Sequence, residues 1–203
     1  MDFTYSKKCI KIDDKVLSTL DKFVLDFIKI LQKYMKYVVI SGYIPILFGR
    51  TRGTEDVDIF IEKIDKKTFV NFYKELIKDN YYFLNPENEN GLYEMLTERL
   101  GIRAAKKDTI IPNIEMKFIK DDLDLFTIEN RVEVILNEKF KFFISPIEIE
   151  IPYKLYLGSE KDIEDAVHIW EIFKDYLDKK LMRRFMNELS VSGERYGIKV
   201  WSG

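Results

Sequence analysis

Two aspartates, Asp56 and Asp58, lie two positions apart in an apolar stretch of the chain. Side chains alternate between the two faces of a strand, so a strand here places both carboxylates on one face. The opposite face carries Val57, Ile59 and Ile61, which indicates that it is buried. Two neighbouring carboxylates repel each other unless a cation lies between them. The spacing therefore predicts a magnesium site.

A phosphate-binding turn is predicted directly upstream of these acids. Ser41 and Gly42 end an apolar strand and precede a short predicted helix over residues 43–48. The first amides of a helix lack intrahelical partners and can hold a phosphate, and glycine lets the backbone approach an anion closely. The glycine-bounded segment that follows carries Arg50 and Arg52, which can bring positive charge to a ligand. Metal and phosphate chemistry are thus predicted side by side.

A third carboxylate on a neighbouring strand usually completes a two-metal site. Glu115 is the best candidate, because it lies among apolar residues in a predicted strand over residues 109–120. Three acids compete for this role: Asp121, Asp122 and Asp124. They fall in a polar segment that is typical of a helix start, where acids are stabilised by the helix dipole.

The segment from residue 37 to residue 61 resembles the nucleotidyltransferase superfamily that is built on the DNA polymerase beta palm. The likeness consists of Ser-Gly, a short helix and the pattern Arg-x-Thr-x-Asp-x-Asp, in which Arg52 and Thr54 are the first two named residues. Ser-Gly replaces the more usual Gly-Gly. Many members have aspartate where this chain has Glu115.

Within that superfamily, the sequence is most similar to the minimal and AbiEii-type nucleotidyltransferases. Those proteins end in helices that carry a lysine followed by a basic-Asp-x-x-Asp pattern. The corresponding residues here are Lys154, Asp162 and Asp165. This second part of the resemblance, over residues 111–176, is weaker than the first.

The resemblance implies an α/β (α+β) fold, in which a polymerase beta-like mixed sheet has flanking helices and a helical C-terminal part. Residues 1–145 would form the nucleotidyltransferase domain, and residues 146–203 the helical part. The implied activity is the transfer of a nucleoside monophosphate from a nucleoside triphosphate such as ATP to a hydroxyl group, with Mg²⁺ or Mn²⁺ as cofactor.

Residue roles follow from the same resemblance. Asp56 and Asp58 would bridge two magnesium ions, and Glu115 would ligate the catalytic ion and assist proton removal. The remaining residues would serve the nucleotide. Ser41 and Gly42 would hold the terminal phosphates, Arg52 or Arg50 would neutralise their charge, and Thr54 would fix the loop. Lys154 would contact a phosphate of the nucleotide. Asp162 or Asp165 would either orient Lys154 or contact the base or ribose.

The acceptor stays open between RNA, a protein hydroxyl and a small molecule. AbiEii likeness favours a toxin with an antitoxin partner, whereas a housekeeping or antibiotic-modifying transferase would use the same acids. Two alternatives are a catalytically inactive nucleotide-binding or partner-binding protein, suggested by Glu115, and an interaction subunit that uses the basic residues 179–184.

Composition predicts a globular protein of the cytoplasm. The 203 residues are 46% hydrophobic and 14% aromatic, which supplies a substantial core. The net charge of −2 gives no overall bias toward nucleic acid, although basic residues cluster at 99–107. No apolar run is long enough for a membrane span, and the N-terminal residues lack the apolar centre of a signal peptide. The single cysteine, Cys9, cannot form an internal disulfide.

Hydrophobic periodicity predicts the remaining elements. Helices are expected over residues 13–35, 66–79 and 91–100, strands over 37–41, 56–62 and 81–85, a hairpin over 131–145 with its turn at Asn137 and Glu138, and three helical stretches after residue 146. Four ring-bearing residues of these last stretches are interpreted as packing residues: Tyr153, Tyr156, His168 and Trp170.

Overall fold

The computed structural model describes residues 2–6 and 8–200, and over these residues nine strands form one mixed sheet. The strands are β1 (Asp2–Ser6), β2 (Cys9–Asp13), β3 (Tyr37–Ile40), β4 (Asp56–Ile61), β5 (Tyr81–Phe83), β6 (Ile102–Lys106), β7 (Asn113–Phe118), β8 (Val132–Leu136) and β9 (Phe140–Ile144). The helices are α1 (Thr19–Leu31), α2 (Tyr43–Leu47), α3 (Lys66–Lys78), α4 (Glu89–Thr97), α5 (Asp122–Glu129), α6 (Ile147–Leu157), α7 (Glu160–Phe173) and α8 (Lys179–Glu188). A short 3-10 helix covers Glu194–Tyr196.

The strands follow the order β1-β2-β8-β9-β3-β4-β7-β6-β5 across the sheet. Strand β2 is parallel to β8, β3 to β9 and β4 to β7, whereas the other neighbours are antiparallel. Strands β3, β4 and β7 are therefore consecutive neighbours, and residues on one face of them lie close together. The predicted mixed α/β sheet with flanking helices and a helical C-terminal part is confirmed.

Strand β4 shows the alternation that the sequence predicts. Val57 and Ile61 are fully buried and Ile59 is almost so, while Asp56 and Asp58 on the opposite face stay partly accessible. Helices α5 and α6 cover this second face, because their side chains share a cavity wall with residues of β3 and β4. Helices α1, α3 and α4 pack side by side, and α6 packs against α7 and α8.

The beginning of α1 is fixed by a capping box. The Ser18 hydroxyl accepts a hydrogen bond from the Asp21 amide at 3.0 Å, and the Asp21 carboxylate accepts one from the Ser18 amide at 2.9 Å. Asp21 is fully buried and also accepts the hydroxyl hydrogen of Tyr43 at 2.7 Å. Because Tyr43 is the first residue of α2, this carboxylate ties α1 to the helix that follows the predicted phosphate turn.

Most predicted elements are confirmed, including the strands at 37–41, 56–62 and 81–85 and the hairpin with its turn at Asn137 and Glu138. The predicted helix over 13–35 is wrong at its start, because Asp13 ends β2 and Ser18 caps α1. The predicted helix over 91–100 begins two residues earlier, where Asn88 caps it. The predicted strand over 109–120 begins only at Asn113, since Thr109 closes a turn onto Lys106.

Three strands are not predicted from the sequence. The hairpin of β1 and β2 forms one edge of the sheet, where Ile10 and Ile12 are buried and Lys11 is exposed. Strand β6 lies inside the basic segment 99–107, where alanine and lysine have weak strand propensity. Pairing on both sides, with β5 and β7, makes this segment a strand in spite of its composition.

Among the helices of residues 2–6 and 8–200, none has the length and apolar content needed to cross a membrane. The division into residues 1–145 and 146–203 stays a prediction. Within the described part of the chain, α6 follows β9 after only two residues, so the sheet and the C-terminal helices are closely joined.

Candidate active site

The parallel pairing of β4 with β7 brings the predicted acids together. Asp56 and Asp58 share one face of β4, and Asp58 lies directly opposite Glu115 in the register. Directly paired residues on neighbouring strands point to the same face. Asp58 also pairs with Ile40, the residue before Ser41, which places the predicted phosphate turn at the same point of the sheet.

Asp56 and Asp58 have no counter-ion in direct contact. Over residues 2–6 and 8–200, neither carboxylate forms a hydrogen bond or an ion pair. Burial raises the pKa of Asp58 to about 6, and repulsion from Asp56 and then Glu115 contributes to the rise. A partly buried carboxylate that is repelled by its neighbours gains most from a cation placed between them. The two aspartates therefore fit a divalent cation.

Glu115 is instead held by two basic side chains. Arg103 Nη2 lies 2.7 Å from the Glu115 carboxylate, and Lys117 forms a second, short ion pair with it. Burial acts to raise the pKa of Glu115, but the bonds from Lys117 and Arg103 outweigh it and lower the pKa. A Cβ at Gly101 would lie 2.7 Å from Glu115 Oε1, so the bare backbone at that position leaves room for the carboxylate.

The position of Glu115 bears on its predicted role as third metal ligand. Among the described residues, no three Asp, Glu, His or Cys side chains are gathered as a set that could hold a metal ion. Glu115 lies beside Asp58 but is engaged by Arg103 and Lys117, so its role as a ligand stays a prediction. The three competing acids lie at the start of α5: Asp121 caps the helix, Asp122 is exposed, and Asp124 accepts the Lys120 amide at 3.0 Å.

The turn at Ser41 and Gly42 is shaped by its backbone and by Arg52. Ser41 adopts a left-handed conformation with φ of 62°, which is uncommon for a residue other than glycine. Arg52 Nη2 donates to the Gly42 carbonyl at 3.0 Å, and a Cβ at Gly42 would lie 3.0 Å from the same nitrogen. Glycine therefore allows the guanidinium to rest against the turn. Thr54 donates its hydroxyl hydrogen to the Asp56 carbonyl at 2.8 Å, as expected of a residue that fixes the loop.

Asp165 is the centre of a buried cluster of charges. Its carboxylate has no solvent exposure. Arg52 donates two hydrogen bonds to it, from Nε to Oδ1 at 2.9 Å and from Nη2 to Oδ2 at 2.8 Å. Arg50 Nε lies 2.7 Å from Asp165 Oδ1, and Lys154 Nζ lies 3.1 Å from Oδ2. Arg50 also pairs with Glu164. One carboxylate thus joins the arginine loop, α6 and α7.

Lys154 places a buried ammonium group beside the turn. The side chain is 1% exposed and its Nζ lies 2.9 Å from Asp162 Oδ1 and 3.5 Å from Ser41 Oγ. Burial acts to lower the pKa of Lys154, but Glu150, Asp162 and Asp165 outweigh it and raise the pKa, so the group carries its charge. The structure therefore brings together Ser41, Lys154, Asp162 and Asp165, which are far apart in the sequence.

Glu150 is a further acid of this region that the sequence analysis does not identify. It lies one helical turn before Lys154 on α6 and is 2% exposed. Burial raises its pKa to about 7, while Lys154 and a hydrogen bond from the Ser41 amide act in the opposite direction. Within the described ranges its Oε1 has no hydrogen-bond partner. The sequence feature that could have identified Glu150 is the presence of two glutamates within the otherwise apolar run IEIEI.

A cleft of about 220 Å³ opens beside Asp58 between the sheet and α6. Its walls include Ser41 and Asp58, with Lys117 on β7 and Tyr153 on α6. The prediction that Tyr153 is a packing residue is therefore incomplete, because its side chain also lines the candidate site. By contrast, Trp170 is buried in the core, and His168 Nε2 lies 3.1 Å from the Phe48 carbonyl oxygen, which indicates a packing role.

No protein-family model and no curated protein matches the sequence. Among solved structures, the chain is similar to an antigenic nucleotidyltransferase-like protein from Paracoccidioides brasiliensis, with a TM-score of 0.51 and 15% identity over 87% of each chain. It is also similar to JHP933 from Helicobacter pylori, with a TM-score of 0.49 and 16% identity over 90% of this chain and 78% of that chain.

A third structure is a tRNA nucleotidyltransferase complexed with a primer tRNA and an incoming ATP analogue. It has a TM-score of 0.33 and 12% identity, and the alignment covers 80% of this chain and 55% of that chain. These identities concern the fold alone, and only the first of the three TM-scores exceeds 0.5. The chain therefore has the fold of nucleotidyltransferase-like proteins.

The raised pKa of Asp58 predicts that this residue costs stability in the absence of metal. Its pKa rises from near 4 in the unfolded chain to about 6 in the folded protein, so stability falls as pH rises through this range. In buffer with EDTA, we expect Asp58→Asn to raise the free energy of unfolding at pH 7 by roughly 2 kcal/mol. Urea denaturation at several pH values measures this difference.

The same titration supplies its own control. Below about pH 3, Asp58 is mostly protonated in both states, so the gain from Asp58→Asn should largely disappear there. Asp26→Asn, an exposed change on α1, should alter stability little at either pH. A loss of stability on Asp58→Asn at pH 7 would contradict the description of this carboxylate as unbalanced.

Proposed function

We propose that this protein is a divalent-metal-dependent nucleotidyltransferase that moves a nucleoside monophosphate from a nucleoside triphosphate to a hydroxyl group. The observation that carries the proposal is the pair Asp56 and Asp58, which face one point without a counter-ion and lie beside a turn flanked by buried cations. The nucleotidyltransferase-like fold agrees with it. ATP is the nucleotide that we would test first.

The triphosphate would bind on the side of Ser41 and Lys154. The ammonium of Lys154 and the guanidinium of Arg52 both lie against the turn, where they would offset the charge of the two terminal phosphates. Asp162 and Asp165 hold these cations in place before any ligand arrives. A site that is organised in advance loses little entropy when the phosphates bind.

Asp56 and Asp58 would hold Mg²⁺ or Mn²⁺ against the α-phosphate. The bound ion would neutralise the phosphate oxygens and lower the pKa of the attacking hydroxyl. Glu115 would accept the proton of the attacking hydroxyl. To do so, its carboxylate would have to leave its ion pairs with Arg103 and Lys117. Pyrophosphate would leave on the side of Lys154, opposite the attacking oxygen, as in-line displacement requires.

The finer assignment to AbiEii-type nucleotidyltransferases is part of this proposal. It is supported by the ion pairs that Lys154 makes with Asp162 and Asp165, the three residues that carry the sequence likeness. A toxin role with an antitoxin partner is the form of the function that this likeness favours.

Calorimetric titration with nucleoside triphosphates tests the proposal without knowledge of the acceptor. We expect the wild type to bind at least one triphosphate in the presence of Mg²⁺, and Asp58→Asn to weaken that binding by more than about tenfold, because a metal-binding carboxylate is lost. Asp26→Asn is the matched control and should bind as the wild type does. Absence of binding of every triphosphate to the wild type would refute the proposal.

A second candidate function is a catalytically inactive protein that retains the fold to bind a nucleotide or a partner. The specific observation in its favour is that Glu115 is engaged by Arg103 and Lys117 rather than directed at a shared ligand with Asp58. In this case the two aspartates would bind at most one metal ion, and Glu115 would only balance the charge of its basic neighbours.

Counting bound Mn²⁺ by electron paramagnetic resonance, with ATP present, separates the two candidates. The transferase proposal predicts two Mn²⁺ per chain in the wild type and one in Glu115→Gln, because glutamine is a poorer ligand for a hard cation. Glu115→Asp should retain the second ion more weakly. One ion in all three proteins would favour the inactive candidate.

A further inference from the structure

We propose that a second pocket, at the edge of the sheet, binds a guanidinium group on a short carbon chain. This edge pocket lies between the β1-β2 hairpin, α5, the start of α6 and the segment that joins α7 to α8. Its volume is about 390 Å³, which is in the range of small-molecule sites. Among the described residues, it shares no lining residue with the cleft beside Asp58, so the inference is independent of the proposed function. The residues of the edge pocket that bear on its ligand are Tyr5, Lys8, Phe126, Glu148, Tyr176 and Asp178.

A buried carboxylate lies in the wall of the edge pocket. Glu148, in the first turn of α6, is only 7% exposed. Its Oε1 accepts a hydrogen bond from the Asp178 amide at 3.1 Å and lies 3.5 Å from the Tyr5 hydroxyl oxygen. Over the described ranges, Glu148 takes part in no ion pair. Because a buried charge is usually balanced by an opposite charge, this carboxylate would gain from a bound cation.

Aromatic rings line the edge pocket together with this carboxylate. The rings of Tyr5 and Tyr176 have centroids 5.7 Å apart and planes 50° from parallel. Tyr176 is 51% exposed, so part of its ring is open to a ligand. Phe126 is a third ring of the lining, and its centroid lies 4.9 Å from that of Phe185. The faces of aromatic rings attract cations, so the rings and the carboxylate favour the same kind of ligand.

A guanidinium group matches both features of the edge pocket. It is planar, stacks on aromatic rings and donates two parallel hydrogen bonds to a carboxylate. A carboxylate has about four acceptor positions, and Glu148 uses at most two of them for the Asp178 amide and the Tyr5 hydroxyl. An ammonium group is more strongly hydrated and cannot stack as a plane. We therefore expect a guanidinium to bind more tightly than an ammonium on a chain of similar length.

The charges of the lining also favour a cation. Asp178 supplies a second carboxylate, which caps α8 by accepting the amide hydrogens of Lys180 and Leu181 at 3.0 Å each. Among the described residues that line the edge pocket, Lys8 is the only basic one, and it is exposed. Two carboxylates and one lysine leave the lining negative. Lys8 would repel a bound guanidinium, so its removal should strengthen binding.

Nuclear magnetic resonance titration of the isotope-labelled full chain with N-acetylarginine amide tests the inference. This probe carries one guanidinium and no other charge. We expect a saturable shift of the Asp178 amide signal, because this amide donates to Glu148, with a Kd of about 1 mM or tighter. N-acetylcitrulline amide, which has nearly the same shape but no charge, should give no saturable shift. N-acetyllysine amide should bind more weakly than the arginine probe.

Three substitutions separate the contributions to binding. Glu148→Gln retains an oxygen for the Asp178 amide but loses the charge, and it should weaken binding of N-acetylarginine amide about tenfold or more. Tyr176→Leu should weaken it about threefold, because a cation-π contact at a partly exposed ring is lost. Lys8→Gln should strengthen it about twofold, because an exposed competing charge is removed.

Two matched variants serve as controls. Tyr156→Leu removes an exposed tyrosine outside the edge pocket, and Glu160→Gln removes an exposed carboxylate on α7. Both should bind N-acetylarginine amide as the wild type does. The amide spectra show whether each variant is folded. If Glu148→Gln does not fold, Tyr176→Leu and Lys8→Gln still decide, since their expected changes have opposite signs.

Two further probes distinguish the possible sources of the guanidinium. Butylguanidinium represents a free small molecule, and a capped Gly-Arg-Gly peptide represents an arginine side chain of another protein. Tighter binding of the first supports a small-molecule site, and tighter binding of the second supports a site for a protein partner. Absence of a saturable shift with every guanidinium probe at about 10 mM would overturn the inference. Equal binding of the citrulline probe, or wild-type affinity in Glu148→Gln, would overturn it as well.

Discussion

The buried carboxylate of Asp165 is the interaction on which the candidate site depends. It draws Arg50, Arg52 and Lys154 to one point, and these residues come from a loop of the sheet and from a C-terminal helix. Removing one member of such a buried group leaves uncompensated charge in a medium of low dielectric constant. Asp165 therefore fixes α6 and α7 against the arginine loop and, through Arg52, holds the Gly42 carbonyl.

The charges on the two sides of Asp58 are distributed unequally. On the Ser41 side, the cations are buried and largely matched by Asp162 and Asp165. On the β7 side, the cations are accessible and exceed the carboxylates that contact them. Between them, the aspartates of β4 have no direct ion pair, and burial, together with repulsion from Asp56 and Glu115, raises the pKa of Asp58. This order of charges along one face of the sheet suits the binding of a divalent cation beside an anionic ligand.

The sequence could predict what depends on local spacing. Alternation identified β4 and its two aspartates, and the burial pattern of this strand confirms it. The sequence could not predict the partners of Glu115, because Arg103 reaches Glu115 only through the pairing of β6 with β7. The β6 segment is rich in alanine and lysine, which have weak strand propensity. The sequence does not predict that Glu150 and Tyr153 lie at the site, for a similar reason. Packing between elements that are distant in the sequence decides which face of α6 contacts the Ser41 turn.

The central claim is that Asp56 and Asp58 hold the catalytic metal beside a triphosphate. A crystal structure with Mn²⁺ and a non-hydrolysable triphosphate tests it most directly, since manganese can be located by its anomalous scattering. The account predicts a manganese peak within about 2.5 Å of both carboxylates, with the terminal phosphates on Lys154. A nucleotide bound elsewhere, or a manganese peak away from these two aspartates, would contradict it.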